Sequence, residues 1–191
     1  LPSKTKQQER RLFVKIFTWK EAFEDSLWAA KRRNPRAQNF VGYCYDVGKG
    51  VHQDIELARK WYEKAARNGN ATALFNLAVI NHLGQGIKRN VSRAFHLYKK
   101  AALRGNLQSQ TNLANMLLDG EGTKKDIVNG FHWMRRAALR GDDKAQYNLG
   151  RAYAKGKDIR KNERYAKIWL SKAAKQGHER AKRLLKSLNN N

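Results

Sequence analysis

"WYEKAARNGN" occupies residues 61–70 and returns, without insertion or deletion, as "LYKKAALRGN" at 97–106, "WMRRAALRGD" at 133–142 and "WLSKAAKQGH" at 169–178. The step is 36 residues each time. A period between about 20 and 50 residues marks a repeat architecture, in which each unit buries its apolar face against its neighbours. A second pattern keeps the same step upstream: "YCYDVGKGVHQD" at 43–54, "VINHLGQGIKRN" at 79–90, "NMLLDGEGTKKD" at 115–126 and "RAYAKGKDIRKN" at 151–162. Each unit is therefore two short segments around a glycine-containing turn.

Both segments carry a helical period. In the second, Leu57, Trp61 and Ala65 lie at i, i+4 and i+8 with Ala58 and Tyr62 beside them, and in the first Ala73, Leu77 and Ile80 make the equivalent stripe. Gly48, Gly84, Gly120 and Gly156 stand where the first helix must end, since glycine accepts the left-handed backbone that closes a helix. Asp54, Asn90, Asp126 and Asn162 then share one column, and their side-chain oxygens suit the free N–H groups of a new helix. Gly69, Gly105, Gly141 and Gly177 end the second helix. The small column Gly42, Ala78, Ala114 and Gly150, with the Ala pairs beginning at 65, 101, 137 and 173, predicts close crossing of helices from adjacent repeats.

This spacing sets repeats at 37–72, 73–108, 109–144 and 145–180. Shifting the template back aligns Ala29 and Ala30 with Ala65 and Ala66, which predicts an N-terminal capping helix within 12–36 behind a basic flexible tail at 1–11. Ala181 and Leu185 align with Ala145 and Leu149, so 181–191 reads as a C-terminal capping helix and tail.

Composition narrows the class. The chain has 191 residues, 41% of them apolar, enough for a packed core. No apolar run approaches the roughly 20 residues of a membrane span. Forty Lys and Arg against 16 Asp and Glu give a net charge of +24, which points to an anionic partner such as nucleic acid, an acidic protein or a lipid surface. The single cysteine, Cys44, excludes an intramolecular disulfide and a cysteine-cluster metal site. One thiol fits the cytosol, while a chain that opens on Leu1 leaves a removed signal peptide, and a periplasmic or secreted setting, open.

The pattern A-x-x-x-L-G-x-x-Y, G-x-G-x-x-x-D/N, A-x-x-W-Y-x-K-A-A-x-x-G is carried by Ala145, Leu149, Gly150 and Tyr153, by Gly48, Gly50 and Asp54, and by Ala58, Trp61, Tyr62, Lys64, Ala65, Ala66 and Gly69. It resembles the Sel-one-like repeat, a relative of the tetratricopeptide repeat, over roughly 37–180. The resemblance implies an all-α, right-handed α/α solenoid of helix-turn-helix repeats and an adaptor role: assembly of membrane-associated or envelope complexes, host interaction, or immunity against a toxin. Cysteine-rich members of the family are linked to β-lactam binding or hydrolysis, and their regular cysteine pairs are absent here. Two departures stand out, Asp158 in place of the second turn glycine of the fourth unit and Leu97 in place of the second unit's tryptophan.

Catalytic signatures are missing: no G-x-S-x-G, H-E-x-x-H or P-loop string occurs. No cofactor and no metal site is expected. His96 and His132 share a column, yet equivalent helices about 8–10 Å apart do not let both rings ligate one ion, so they read as surface histidines. Cys44 falls in the column of Ile80, Met116 and Ala152 and reads as a core thiol. Trp61, Trp133 and Trp169 occupy the packing column and Trp28 the cap, all expected in the core; Trp19 is the least constrained.

Residues the repeat does not demand carry more about function. Lys88 and Arg89, Lys124 and Lys125, and Arg160 and Lys161 follow the turns in register and predict a basic ladder along one edge, for which fold chemistry offers no reason. Net charge runs +6 for 1–36, +1 for 37–72, +6 for 73–108, +1 for 109–144, +7 for 145–180 and +3 for the tail. First helices line the concave face of such a solenoid, and their outward columns are expected to hold Asn39, Phe75, Thr111 and Tyr147, then Tyr43, Val79, Asn115 and Arg151. The expectation is a non-catalytic adaptor that binds an acidic protein or peptide on this face, steered by the basic edge. Binding of nucleic acid or another polyanion at the edge is the alternative, and a hydrolase the least favoured.

Overall fold

The computed structural model describes residues 18–190. Among them are ten helices and no strand: α1 (Trp19–Lys31), α2 (Pro35–Val47), α3 (Ile55–Arg67), α4 (Ala71–Leu83), α5 (Val91–Leu103), α6 (Leu107–Asp119), α7 (Ile127–Leu139), α8 (Asp143–Lys155), α9 (Glu163–Lys175) and α10 (Glu179–Asn189). First helices begin at 35, 71, 107, 143 and 179, second helices at 19, 55, 91, 127 and 163, so the 36-residue step holds for every described element. The capping helix expected within 12–36 begins at Trp19, and residues 1–17 lie outside the described part.

Helix starts follow the anticipated chemistry. The carboxamide or carboxylate oxygens of Asp54, Asn90, Asp126 and Asn162 accept from the backbone N–H of Leu57, Arg93, Asn129 and Tyr165 at 2.8–3.0 Å. First helices gain the same cap from Asn34, Asn70, Asn106 and Asp142, a column the sequence reading did not single out, and His178 caps α10 through Nδ1. Gly48, Gly84, Gly120 and Gly156 close the first helices in the left-handed region at φ 68–73°. Asp158, which departs from the glycine pattern, keeps φ at 66° and with it the shape of the turn.

The chain divides into two compact units, residues up to Asn68 and residues from Gly69 onward. In the first, α1, α2 and α3 enclose Phe23, Ala30, Val41 and Cys44, with Leu27, Phe40 and Trp61 packed against them. Burial pushes the Cys44 thiol above its ordinary pKa, against the lesser pull of Lys49. In the second unit α4 to α10 share three clusters, built around Tyr98 and Leu113, around Met134 and Leu149, and around Leu170 and Ala173.

Two expectations need correction. The small column packs within a repeat, not between repeats: a Cβ at Gly42 would lie 2.7 Å from the Tyr62 ring and one at Gly150 2.8 Å from Leu170, each on the partner helix of the same unit. Trp28, expected in the core, is 62% exposed, with the Arg32 guanidinium 3.6 Å over its ring. In the last turn of α1 the core position is taken by Ala30, which is 1% exposed.

Candidate functional site

Repeats of one geometry display whatever their variable columns carry. In the first unit, Asn39 and Tyr43 are half-buried on α2, and Lys49 donates to the Tyr43 hydroxyl at 3.4 Å while lying 4.3 Å over the Trp19 ring. In the second, Phe75 and Val79 lean on the cluster around Tyr98, whose ring centroid is 6.0 Å from that of Phe75. Tyr147 stacks on His178 at 4.5 Å, and the exposed Arg151 places its guanidinium 5.7 Å over the same ring. Thr111 does not face outward: it is 3% exposed, enclosed because α6 is covered on both sides, and its hydroxyl has no hydrogen-bond partner.

The structure brings two predicted residues, Asn115 and Arg151, to one cleft, with Asn148 as a neighbour that was not expected. Asn148 donates to the Asn115 carbonyl oxygen at 3.2 Å, and this amide pair lies in a cleft of about 250 Å³ between α6 and α8. Leu118, Phe131 and Met134 supply its apolar side, and Arg151, Lys155 and Lys157 its cationic side, against Asp119 and Asp158. Such a mixture of amides, cations and one apolar wall can hold an extended backbone and a carboxylate together.

Two of the six edge cations make contacts that the sequence did not lead us to expect. Arg89 donates through Nε to the His82 carbonyl at 2.8 Å and through Nη2 to Glu121 at 2.6 Å. Glu121 also meets His82 Nε2 at 3.1 Å. Lys125 pairs with Asp158 at 3.1 Å. Arg89 and Lys125 therefore tie one repeat to the next, and the fold does give a reason for them. Lys88, Lys124, Arg160 and Lys161 are exposed.

Sequence reasoning missed a buried amide ladder. Gln38, Gln110 and Gln146 each donate to the carbonyl eight residues earlier, at Ala30, Ala102 and Ala138. Their own oxygens accept from Asn68, Arg140 and Gln176, 30 residues later. The signal was available as three glutamines in one column, and a leucine, Leu74, in the fourth. Also missed were two open grooves beside the second helices, one of about 730 Å³ floored by Leu113 and Leu117 and one of about 610 Å³ floored by Leu149 and Tyr153.

Comparison with known proteins identifies the repeat. The Sel1 repeat matches at 35–70, 71–106, 107–142 and 143–178, two residues earlier in phase than the boundaries set from the sequence. The chain belongs to the Sel1 repeat family. Proteins of this family generally mediate protein–protein interactions on a scaffold that is typically non-catalytic.

A protective antigen of uropathogenic Escherichia coli with this fold is 34% identical, at a TM-score of 0.80 over 83% of this chain and 34% of that one. A Sel1 repeat protein of Oxalobacter formigenes is 36% identical, at a TM-score of 0.74 over 81% and 63%. A chitin synthase regulator of Saccharomyces cerevisiae is 47% identical over 57 residues, 30% of this chain and 8% of its own length. The chain thus spans less than two thirds of each of these relatives. No described helix is long and apolar enough to cross a membrane.

Proposed function

We propose that this Sel1 repeat chain is a non-catalytic adaptor that binds an acidic protein or peptide segment along its first helices. The carrying observation is the cleft between α6 and α8, where the Asn115 and Asn148 amides stand beside Arg151, Lys155 and Lys157. An asparagine amide offers both a donor and an acceptor, which suits a peptide backbone, while Arg151 offers a forked donor to a carboxylate. Tyr147, held by His178, lies beside Arg151, and Phe75 and Val79 offer apolar side chains on α4 in the same register. In the first unit, taken by itself, Asn39 and Tyr43 stand at the same register positions of α2. Thr111 is left out because it is buried.

The test is fluorescence anisotropy with labelled peptides of matched length, rich in Glu and Leu in one set and in Gln and Leu in the other. The acidic set binds and the neutral set does not; Arg151→Glu weakens binding at least about tenfold, as expected for a charge-assisted contact turned into repulsion. Unchanged affinity in that variant, with its circular dichroism also unchanged, removes the cleft from the reading.

A further inference from the structure

Positive charge in the three complete repeats of the second unit is sorted by layer. The second helices with their C-caps, residues 91–104, 127–140 and 163–176, hold eleven Lys and Arg against one acid, Glu163. The first helices of the same three repeats, 71–84, 107–120 and 143–156, hold three against two, and the terminal α10 adds four against Glu179. Packing requires that the outer side of a second helix be polar, not that it be cationic. Glu is as good a helix former as Lys and would add i,i+4 pairs. The choice of sign is therefore unexplained by the fold.

Apolar side chains stand among these cations. Val128 is 81% exposed, and Leu103 and Leu139, one repeat apart, are 63% and 65% exposed. Ile168 and Tyr165 on α9 are exposed too. In register with them run Lys100, Arg136 and Lys172. Consecutive second helices are held as neighbours at their C-terminal ends, where Arg140 donates to the Gly105 carbonyl and Gln176 to the Gly141 carbonyl, both at 3.0 Å. The grooves beside them have apolar floors and cationic rims, Lys99 and Lys124 on one and Arg135 and Arg136 on the other.

We propose that the outer faces of α5, α7 and α9 dock on an anionic lipid surface. The cations lie against headgroup phosphates and carboxylates, and Leu103, Val128 and Leu139 enter the boundary of the acyl region. This is the chemistry of an interfacial protein, which combines electrostatic attraction with shallow apolar burial. The aliphatic side chains protrude, which suits a deformable lipid interface. A nucleic acid would use flat rings for stacking, whereas Trp133 and Trp169 are half-buried and buried beneath Arg136 and Lys172. None of the cations and aliphatic side chains assigned to the lipid surface lines the α6–α8 cleft, which leaves that cleft to a protein partner.

The experiment is co-sedimentation of the full chain with vesicles of phosphatidylcholine alone and of phosphatidylcholine with about 30% phosphatidylserine, at about 0.1 M salt. Binding is expected to the anionic vesicles only. Replacing Lys100, Arg136 and Lys172 by Ala is expected to weaken it roughly fivefold per cation, on the order of a hundredfold together. Leu103→Ser with Val128→Ser and Leu139→Ser, which leaves the charge unchanged, is expected to weaken it about tenfold. Thermal unfolding of both variants confirms that these exposed positions leave the fold intact.

No binding to either vesicle overturns the proposal. So does an unchanged affinity of the aliphatic variant, whatever the charge variant does, because the basic tail or the turn edge would then account for the binding. A mixed-sequence oligonucleotide that binds more tightly than the vesicles and ignores the aliphatic substitutions assigns the face to nucleic acid instead.

Discussion

Replacing Gln110 by Leu tests whether the amide ladder ties consecutive repeats. Gln110 is fully buried, donates to the Ala102 carbonyl at 3.2 Å and accepts from Arg140 at 3.1 Å. Leucine has nearly the same volume, so the cavity contribution is small, and the packing control exists in the chain as Leu74 in the same column. The Ala102 carbonyl keeps a bond from the Gly105 N–H at 3.0 Å, and Arg140 keeps the Gly105 carbonyl and solvent. What is lost is one neutral and one charge-assisted hydrogen bond without a full desolvation penalty, about 1–2 kcal/mol. For a unit of this size that is a fall in Tm of roughly 3–8 °C. Urea denaturation with a double-mutant cycle against Arg140→Ala separates the bond within the 107–142 repeat, expected near 1 kcal/mol, from the bond to Ala102 of the preceding repeat. A Gln110→Leu chain as stable as the parent, or more stable, refutes the claim that these amides hold the repeats together.

Asp158→Gly is expected to leave stability unchanged or slightly raised, since glycine relieves a left-handed backbone at about 1 kcal/mol while the exposed pair with Lys125 contributes no more than that; a loss above about 2 kcal/mol in urea denaturation contradicts it. Desolvation, with Glu121 nearby, pushes the Tyr98 hydroxyl up to about 12 from an ordinary value of 10. The folded chain thus resists deprotonation that the unfolded chain accepts, so this contribution is whole below pH 10 and is lost as pH rises from 10 through 12. Tm measured from pH 9 to 12 is expected to fall less steeply in Tyr98→Phe than in the parent, and equal slopes refute the assignment. The buried Cys44 thiol is expected to react with a disulfide reagent only after denaturation; stoichiometric labelling of the folded chain at pH 8 would place it outside the core.

The architecture was legible because its signals repeat. One Gly–Asp pair is weak, but Gly48 with Asp54, repeated at 84 with 90, 120 with 126 and 156 with 162, excludes coincidence, and each pair became a left-handed cap followed by a side-chain cap. Periodicity places a residue on a helix face without naming what that face meets. Hence Gly42 and Gly150 were correctly marked as sites of close approach and wrongly assigned to the seam between repeats. Thr111 was misplaced for a related reason: one column position is half-buried at Phe75 and Tyr147 and fully buried at Thr111, and periodicity does not tell the two apart.

Charge was less legible than pattern, since a sequence gives the sign of each residue and not its partner. The six edge cations looked equivalent in register, yet Glu121 and Asp158 commit Arg89 and Lys125 to the repeat interface. Those acids stand 32 and 33 residues further on, near but not at the repeat step, where a search for identical columns does not look. The other four edge cations are exposed, and the second helices α5, α7 and α9 add Lys100, Arg136 and Lys172 in register. Surface ion pairs of this kind contribute little to stability, about 0–1 kcal/mol each. Their stronger effect is on the surface potential, and the proposed docking face sets cations beside the exposed Val128 and Leu139.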